Sequence, residues 1–493
     1  MSKLLTGKRI LIFGLSLFLS ITVSKALFAT NIPVTQTLSD NSAKEQIIIA
    51  QSFDSNYYNK LIEADRFYKQ GNLQVAEQIQ REVKPEFPPP TPIPEAKVDI
   101  SSLPPEAQQQ WTTANQALDE DPDDDDEVEE RIFEPLESLV DNHPSFVPGQ
   151  ILLADAYYLY DWEDEAIETI EAVAEKYPER DDVLDKKIEI LSEYGKSLEA
   201  SIAAREFAYA YPDHPKSPAY KQAADEYFKE YQSSLKTKFT TSSILGGIGQ
   251  AATGKEDEAQ AMGQMLLQGE SGAGQAFAQS YKEQATMVTN PQQLKYLNDI
   301  GQKLAKLMGR DEFTYEFNII EDPSPNAFAL PGGKIFFHTG MLQMMDSEAE
   351  LAGVLAHEIA HAVLSHGYSK IGEAALTNTA SSLLGDLVGK EAGMAAQVGE
   401  VLLNKKFSRD KEKQADILGL RVLDAASYSA DGLYNVMEKL GQLQGDSNFA
   451  ESLLSSHPAS EDRMAYLEEL IQTKGYNRYG YEGVEAYRAV FPR

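Results

Sequence analysis

Apolar residues at helical spacing dominate this chain. The clearest case is Leu351, Val354, Leu355, Ile359, Ala362 and Val363, which line one face of a predicted helix. Ser347, with Glu350 three residues on, forms a capping box at its start. Gly367 reads as its stop, with His366 a polar residue of the last turn. A second helix is expected around Glu412 and Asp416, whose i, i+4 spacing puts both carboxylates on one face. Further upstream the pattern repeats. Pro144, Pro178 and Pro212 recur every 34 residues, and Ala166 and Ala200 keep that register, as do Tyr157 and Leu191. Another unit starts near Tyr57, where Ala64, Phe67, Gly71 and Ala76 carry the same relative spacing around a turn at Asn72-Leu73.

Punctuation divides the rest. Lys3, Lys8 and Arg9 precede an apolar run from Ile10 to Val23 that is short for a membrane span; Ala26 and Ala29 then offer small residues for cleavage. This reads as an export signal, with an uncleaved anchor as the alternative. Pro85, Pro88, Pro89, Pro90, Pro92 and Pro94 mark a stiff spacer. Two stretches rich in small residues, 236–285 and Ile371 to Leu403, read either as tightly packed helices or as a mobile element near a cleft. Asp119 to Glu130 reads as a solvated acidic segment.

Composition narrows the chemistry. A formal net charge of −33 argues against a nucleic-acid partner, since phosphate binding needs basic patches. No cysteine is present, which excludes thiol catalysis, cysteine metal sites and disulfides. No glycine-rich phosphate loop followed by Lys and Ser or Thr is found. Hydrophobic content of 42% suffices for two or three folded units.

The chemistry gathers in the first helix. His357-Glu358-Ile359-Ala360-His361 places two imidazoles one turn apart, able to close on one metal ion, with Glu358 beside it to take a proton from water. The chain has only seven histidines, so chance is a poor explanation. Such a site needs a third ligand. Glu412 can supply it, and Asp416 can accept the second ring N–H of a ligand histidine.

Together these segments resemble the zinc metallopeptidase family that includes the HtpX-like and BepA-like bacterial proteases and the CAAX prenyl endopeptidases. Asn326 to Gly333, then Lys334 to Gly340, resemble the family's strand and turn before the metal helix. The His357 to His361 motif, Glu412-x-x-x-Asp416, and Ser456-His457-Pro458 with Arg463 follow in the family's order over roughly residues 286–475. The resemblance implies that His357, His361 and Glu412 bind one Zn²⁺ per chain, that Glu358 is the general base, and that Asp416 orients a ligand. Asn326, Ala327, Phe328 and Ala329 would belong to an edge strand that pairs with an extended substrate backbone. His457 would be a fourth zinc ligand that displaces the catalytic water, and Arg463 either a transition-state stabiliser or a structural ion pair. The 34-residue period resembles tetratricopeptide repeats.

The expected fold is therefore mainly α: helical tetratricopeptide-like repeats followed by an α+β zincin-type metallopeptidase domain with a small sheet. The expected divisions are 1–29 signal peptide, 30–54 disordered, 55–84 isolated repeat-like hairpin, and 85–108 proline-rich linker. Then follow 109–232 repeats, 233–285 Ala/Gly-rich connector, 286–475 peptidase, and 476–493 C-terminal tail. The expected activity is an exported zinc metalloendopeptidase acting on misfolded or unassembled envelope proteins in a periplasm or equivalent compartment. A protein partner would sit on the repeats, and membrane association would be at most peripheral. The alternative is a chaperone or assembly factor whose protease site His457 keeps silent.

Overall fold

In the computed structural model, residues 55–122, 124–246, 266, 268–376, 407–443, 457 and 461–492 are described. The expected signal peptide and the 30–54 stretch lie outside them, as do residues 247–265 and 377–403 of the two segments rich in small residues.

Helix hairpins build the N-terminal half. Val147–Leu159 pairs with Glu163–Lys176, and Asp181–Glu193 with Ser197–Ala210, so successive hairpins start 34 residues apart. Each turn closes in the same way: Trp162 N donates to Tyr157 O and Lys196 N to Leu191 O, both at 2.8 Å. The residue before each donor, Asp161 or Gly195, is left-handed, with φ of 62° and 70°. Ala166 and Ala200 are fully buried where the second helix begins, and their small size lets the helices close up. The hairpin Ser55–Lys69 with Leu73–Arg81 repeats this turn at Gly71 (φ 78°), with Asn72 N on Phe67 O at 2.9 Å and Ala76 buried.

That hairpin is not isolated, as the sequence suggested. Its Asp65 carboxylate accepts from the backbone N–H groups of Glu482, Gly483 and Val484 at 2.9, 2.9 and 3.2 Å, capping the helix Val484–Val490. Residues 476–492, most of the expected 476–493 tail, thus complete the core: Tyr487 is buried and Phe491 packs beside it. The proline-rich segment lies along the protein rather than spanning free space. Tyr177 OH donates to Pro94 O at 3.1 Å, Gln472 Nε2 to Pro88 O at 2.8 Å, and Arg478 covers the Phe87 ring at 3.6 Å. The acidic run also folds. Asp125–Val128 and the wide turn Glu129–Phe133 are helical, because Val128, Ile132 and Phe133 bury an apolar face while Arg131 pairs with Glu120 and Glu127.

The sheet is small. β1 (Glu316–Ile320) runs parallel to β3 (Lys334–His338), which runs antiparallel to β2 (Ala327–Leu330), giving the order β1-β3-β2. β2 is thus an edge strand, and the helix Glu348–Val363 packs against it. This helix is buried along nearly its whole length. Two glycines let backbone approach it: a Cβ on Gly353 would lie 2.6 Å from Leu433 N, and one on Gly419 would lie 3.3 Å from His357 N. Through Gly419 the helix Arg409–Ala425 comes close enough for its carboxylates to meet the histidines. One core runs from the sheet through these helices to Leu198, Ile202 and Tyr209 of the last repeat helix.

Candidate metal centre

The helix carrying His357 and His361 starts as its sequence dictates. Ser347 Oγ accepts from Glu350 N at 3.1 Å, and Glu350 reaches back to Asp346 N at 2.7 Å. It stops earlier than expected. Ser365 takes φ 58°, and His366 opens the next helix, His366–Leu376, with Gly367 inside it. Arg310 holds this turn, donating from Nη1 to Val363 O at 2.9 Å and to Ser365 Oγ at 3.3 Å.

Four buried side chains converge: His357, His361, Glu412 and His457. His357 Nε2 lies 3.1 Å from His361 Nε2, 3.3 Å from His457 Nδ1 and 3.5 Å from Glu412 Oε2. Glu412 Oε1 lies 3.5 Å from His361 Nε2 and 2.8 Å from His457 Nδ1. With zinc–ligand bonds of about 2.0–2.1 Å, the edges of a tetrahedral site are roughly 3.3–3.4 Å, so this donor set fits zinc. Imidazole nitrogens gathered this closely around a carboxylate have no better common partner than a cation.

Charge balance agrees. Among the described residues lining the cluster, the carboxylates of Glu358, Glu412 and Asp416 gather around the guanidinium of Arg463 in a buried place. Burial would push His357 down, but its hydrogen bonds to Asp416 and Glu412 outweigh this and raise it to about 9. Burial raises Glu358. For Glu412, burial is outweighed by His457 and Arg463, which hold it well below the usual carboxylate range. Burial carries His361 well below the ordinary histidine value. The centre is thus built to hold positive charge on or beside its ligands.

The surrounding contacts orient the ligands. His357 Nδ1 meets Asp416 Oδ1 at 2.9 Å, leaving Nε2 toward the centre. Arg463 donates to both Asp416 oxygens at 2.8 Å and sits 2.6 Å from Glu412 Oε2, so it is an ion-pair partner of the ligand set. His457 Nε2 lies 3.6 Å from Glu358 Oε1, whereas Glu358 Oε2 is buried and has no hydrogen-bond partner among the described residues. Ala327, Phe328 and Ala329 sit on edge strand β2, with Asn326 just before it, but all four are buried. His366, read from the sequence as a polar residue of the motif helix's last turn, lies against the cluster from the start of the next helix. It is fully buried, with Nδ1 2.9 Å from His361 Nδ1 and Nε2 3.0 Å from Gln414 Oε1. Its five-residue offset from His361 was the available signal, hidden by the misplaced helix stop.

Residues 291–471 match Peptidase family M48. The Mitochondrial metalloendopeptidase OMA1 of Schizosaccharomyces pombe is 32% identical over 201 residues, 40% of this chain and 58% of that protein. The Beta-barrel assembly-enhancing protease of Escherichia coli is 25% identical over 253 residues, 48% of this chain and 52% of that protein. The Putative beta-barrel assembly-enhancing protease of Vibrio cholerae is 29% identical over 201 residues, 39% of this chain and 42% of that protein. The chain spans about half the length of these curated relatives.

Proposed function

We infer that this chain, which carries a peptidase family M48 domain over residues 291–471, is a zinc-dependent metalloendopeptidase. The observation that carries the reading is the convergence of His357 Nε2, His361 Nε2 and the Glu412 carboxylate, with Glu358 next to His357 on the same helix. His357, His361 and Glu412 would hold the ion. Zinc, when bound, supplies Lewis acidity that polarises a scissile carbonyl and acidifies water. Glu358 takes the water's proton and passes it to the leaving amine, and its raised affinity for protons suits both steps. Asp416 keeps His357 in the ligating tautomer, and Arg463 anchors Asp416 and Glu412. An extended peptide would pair along β2 once that buried edge opens. Purified protein should bind one Zn²⁺ per chain and cleave unfolded casein. Chelation should stop cleavage and zinc should restore it; a zinc-loaded chain without peptidase activity refutes the reading.

The role we propose is turnover of misfolded or unassembled proteins outside the cytoplasm, in a periplasm or equivalent compartment, with polypeptides selected by the tetratricopeptide-like hairpins. The names of the assembly-enhancing relatives support it. Among the described residues no helix is long and apolar enough to cross a membrane. A second reading rests on His457, whose Nδ1 takes the fourth position of the ligand cluster. With that position filled, the resting protein acts as an assembly factor or chaperone, and Glu358→Gln would leave its cellular role intact.

A further inference from the structure

We propose that Arg310 is a positioning residue for the ligand His361, and that the helix Gly269–Gln284 and the last repeat helix seat it there. This rests on the zinc-site reading above. His361 ligates through Nε2, so its outer nitrogen, Nδ1, carries the ring proton and needs an acceptor. His366 Nδ1 lies 2.9 Å from it. Where His366 stands is decided by Ser365, the residue before it. Its φ of 58° is a costly conformation for any residue with a Cβ.

Arg310 holds Ser365 in that conformation. Nη1 donates to Ser365 Oγ at 3.3 Å and to the carbonyl of Val363, the last residue of the motif helix, at 2.9 Å. Glu270 closes the ring: its Oε2 accepts from Arg310 Nη2 at 3.0 Å and from the Ser365 hydroxyl at 2.9 Å. All three side chains are buried, so water competes little for these bonds. Glu270 belongs to Gly269–Gln284, whose Tyr281 ring lies 5.2 Å from the Phe328 ring of β2. The last repeat helix, Ser197–Ala210, holds the Arg310 backbone. Arg310 N–H donates to Tyr209 OH at 3.3 Å, and Gly309 leaves space for that ring: a Cβ there would lie 2.6 Å from it. The last repeat helix, the helix against β2 and the end of the motif helix thus meet at one arginine.

The test is the zinc affinity of the full chain, measured by competition with a chromophoric chelator, with circular dichroism to confirm folding. Arg310→Met should weaken zinc binding about 10- to 100-fold, as loss of outer contacts to a ligand histidine does. Two serine variants separate position from packing. Ser365→Ala loses the hydroxyl that Arg310 and Glu270 hold but keeps the conformational cost. It should weaken binding about 5-fold, the worth of one hydrogen bond. Ser365→Gly loses the same hydroxyl and takes a positive φ freely, so it should bind within about twofold of wild type. Added to Arg310→Met, it should recover most of the loss. Wild-type affinity in folded Arg310→Met, or in Ser365→Ala, overturns the proposal. So do equal losses in Ser365→Ala and Ser365→Gly, which would mean packing rather than the held turn. If Arg310→Met does not fold, the two serine variants decide. A wild-type chain that holds no zinc sinks the metal-centre reading itself, and this proposal with it.

Discussion

Lys84 makes a sharp test of how the N-terminal hairpin is joined to the peptidase domain. Its Nζ lies 2.8 Å from Asp431 Oδ1 and 2.6 Å from Glu482 Oε1, and donates to Ser429 Oγ at 2.7 Å and to Arg478 O at 2.5 Å. All three charged side chains are at most 2% exposed. Burial opposes the lysine charge, but Asp431 and Glu482 outweigh it and hold its pKa above the ordinary value. Lys84→Met keeps the volume of the stem and removes the cation, leaving two buried carboxylates without it. Breaking a buried ion pair from one side costs about 3–5 kcal/mol. The Glu482, Gly483 and Val484 amides, which donate to Asp65 of the hairpin, report the docking. Their hydrogen exchange should quicken roughly 150- to 5,000-fold. Adding Glu482→Gln should recover much of the protection, because Asp431 keeps Arg478 as a partner at 3.4 Å and no unpaired carboxylate is then left. Exchange within threefold of wild type in Lys84→Met alone would refute the claim that this ion cluster holds the hairpin.

Other perturbations separate the remaining contacts. Arg463→Leu should destabilise the zinc-free protein by about 3–5 kcal/mol in urea unfolding, and by less once zinc is added, because zinc then offsets the charge of Glu412 and Asp416. Asp65 is raised to about 7, first by burial and then by Glu482. The folded state thus holds its proton over a range where the unfolded chain has lost it, and the stability this contributes fades as pH rises from about 4 through 7. Asp65→Asn should flatten that part of the urea-midpoint profile. Gly353→Ala would drive a Cβ to 2.6 Å from Leu433 N and should cost about 1–3 kcal/mol in the same assay.

What the sequence made legible was local. The capping box at Ser347 and the four-residue spacing of His357 and His361 are short-range patterns, and so is the 34-residue recurrence of small residues that sets the hairpins. Glu412 and Asp416 stood out only through family resemblance, because many carboxylates in this chain share their spacing. The misreadings have physical causes. Ser365 ends the motif helix without glycine because Arg310, more than fifty residues earlier, holds the turn. Charge masked the apolar face of Val128, Ile132 and Phe133. The hairpin and the C-terminal helix are joined by pairs such as Asp65 with Gly483 and Lys84 with Glu482, hundreds of residues apart, and no periodicity reveals those.

In the proposed enzyme Glu358 works beside a zinc ion held by His357, His361 and Glu412, with His457 in the fourth position of the cluster. The most direct test is casein cleavage by zinc-loaded His457→Ala, alone and combined with Glu358→Gln. His457→Ala should cleave at least as fast as wild type. Adding Glu358→Gln should cut the rate about 10²- to 10⁴-fold while zinc stays bound. A folded, zinc-loaded His457→Ala protein that cleaves nothing, or cleavage that survives Glu358→Gln, would contradict it.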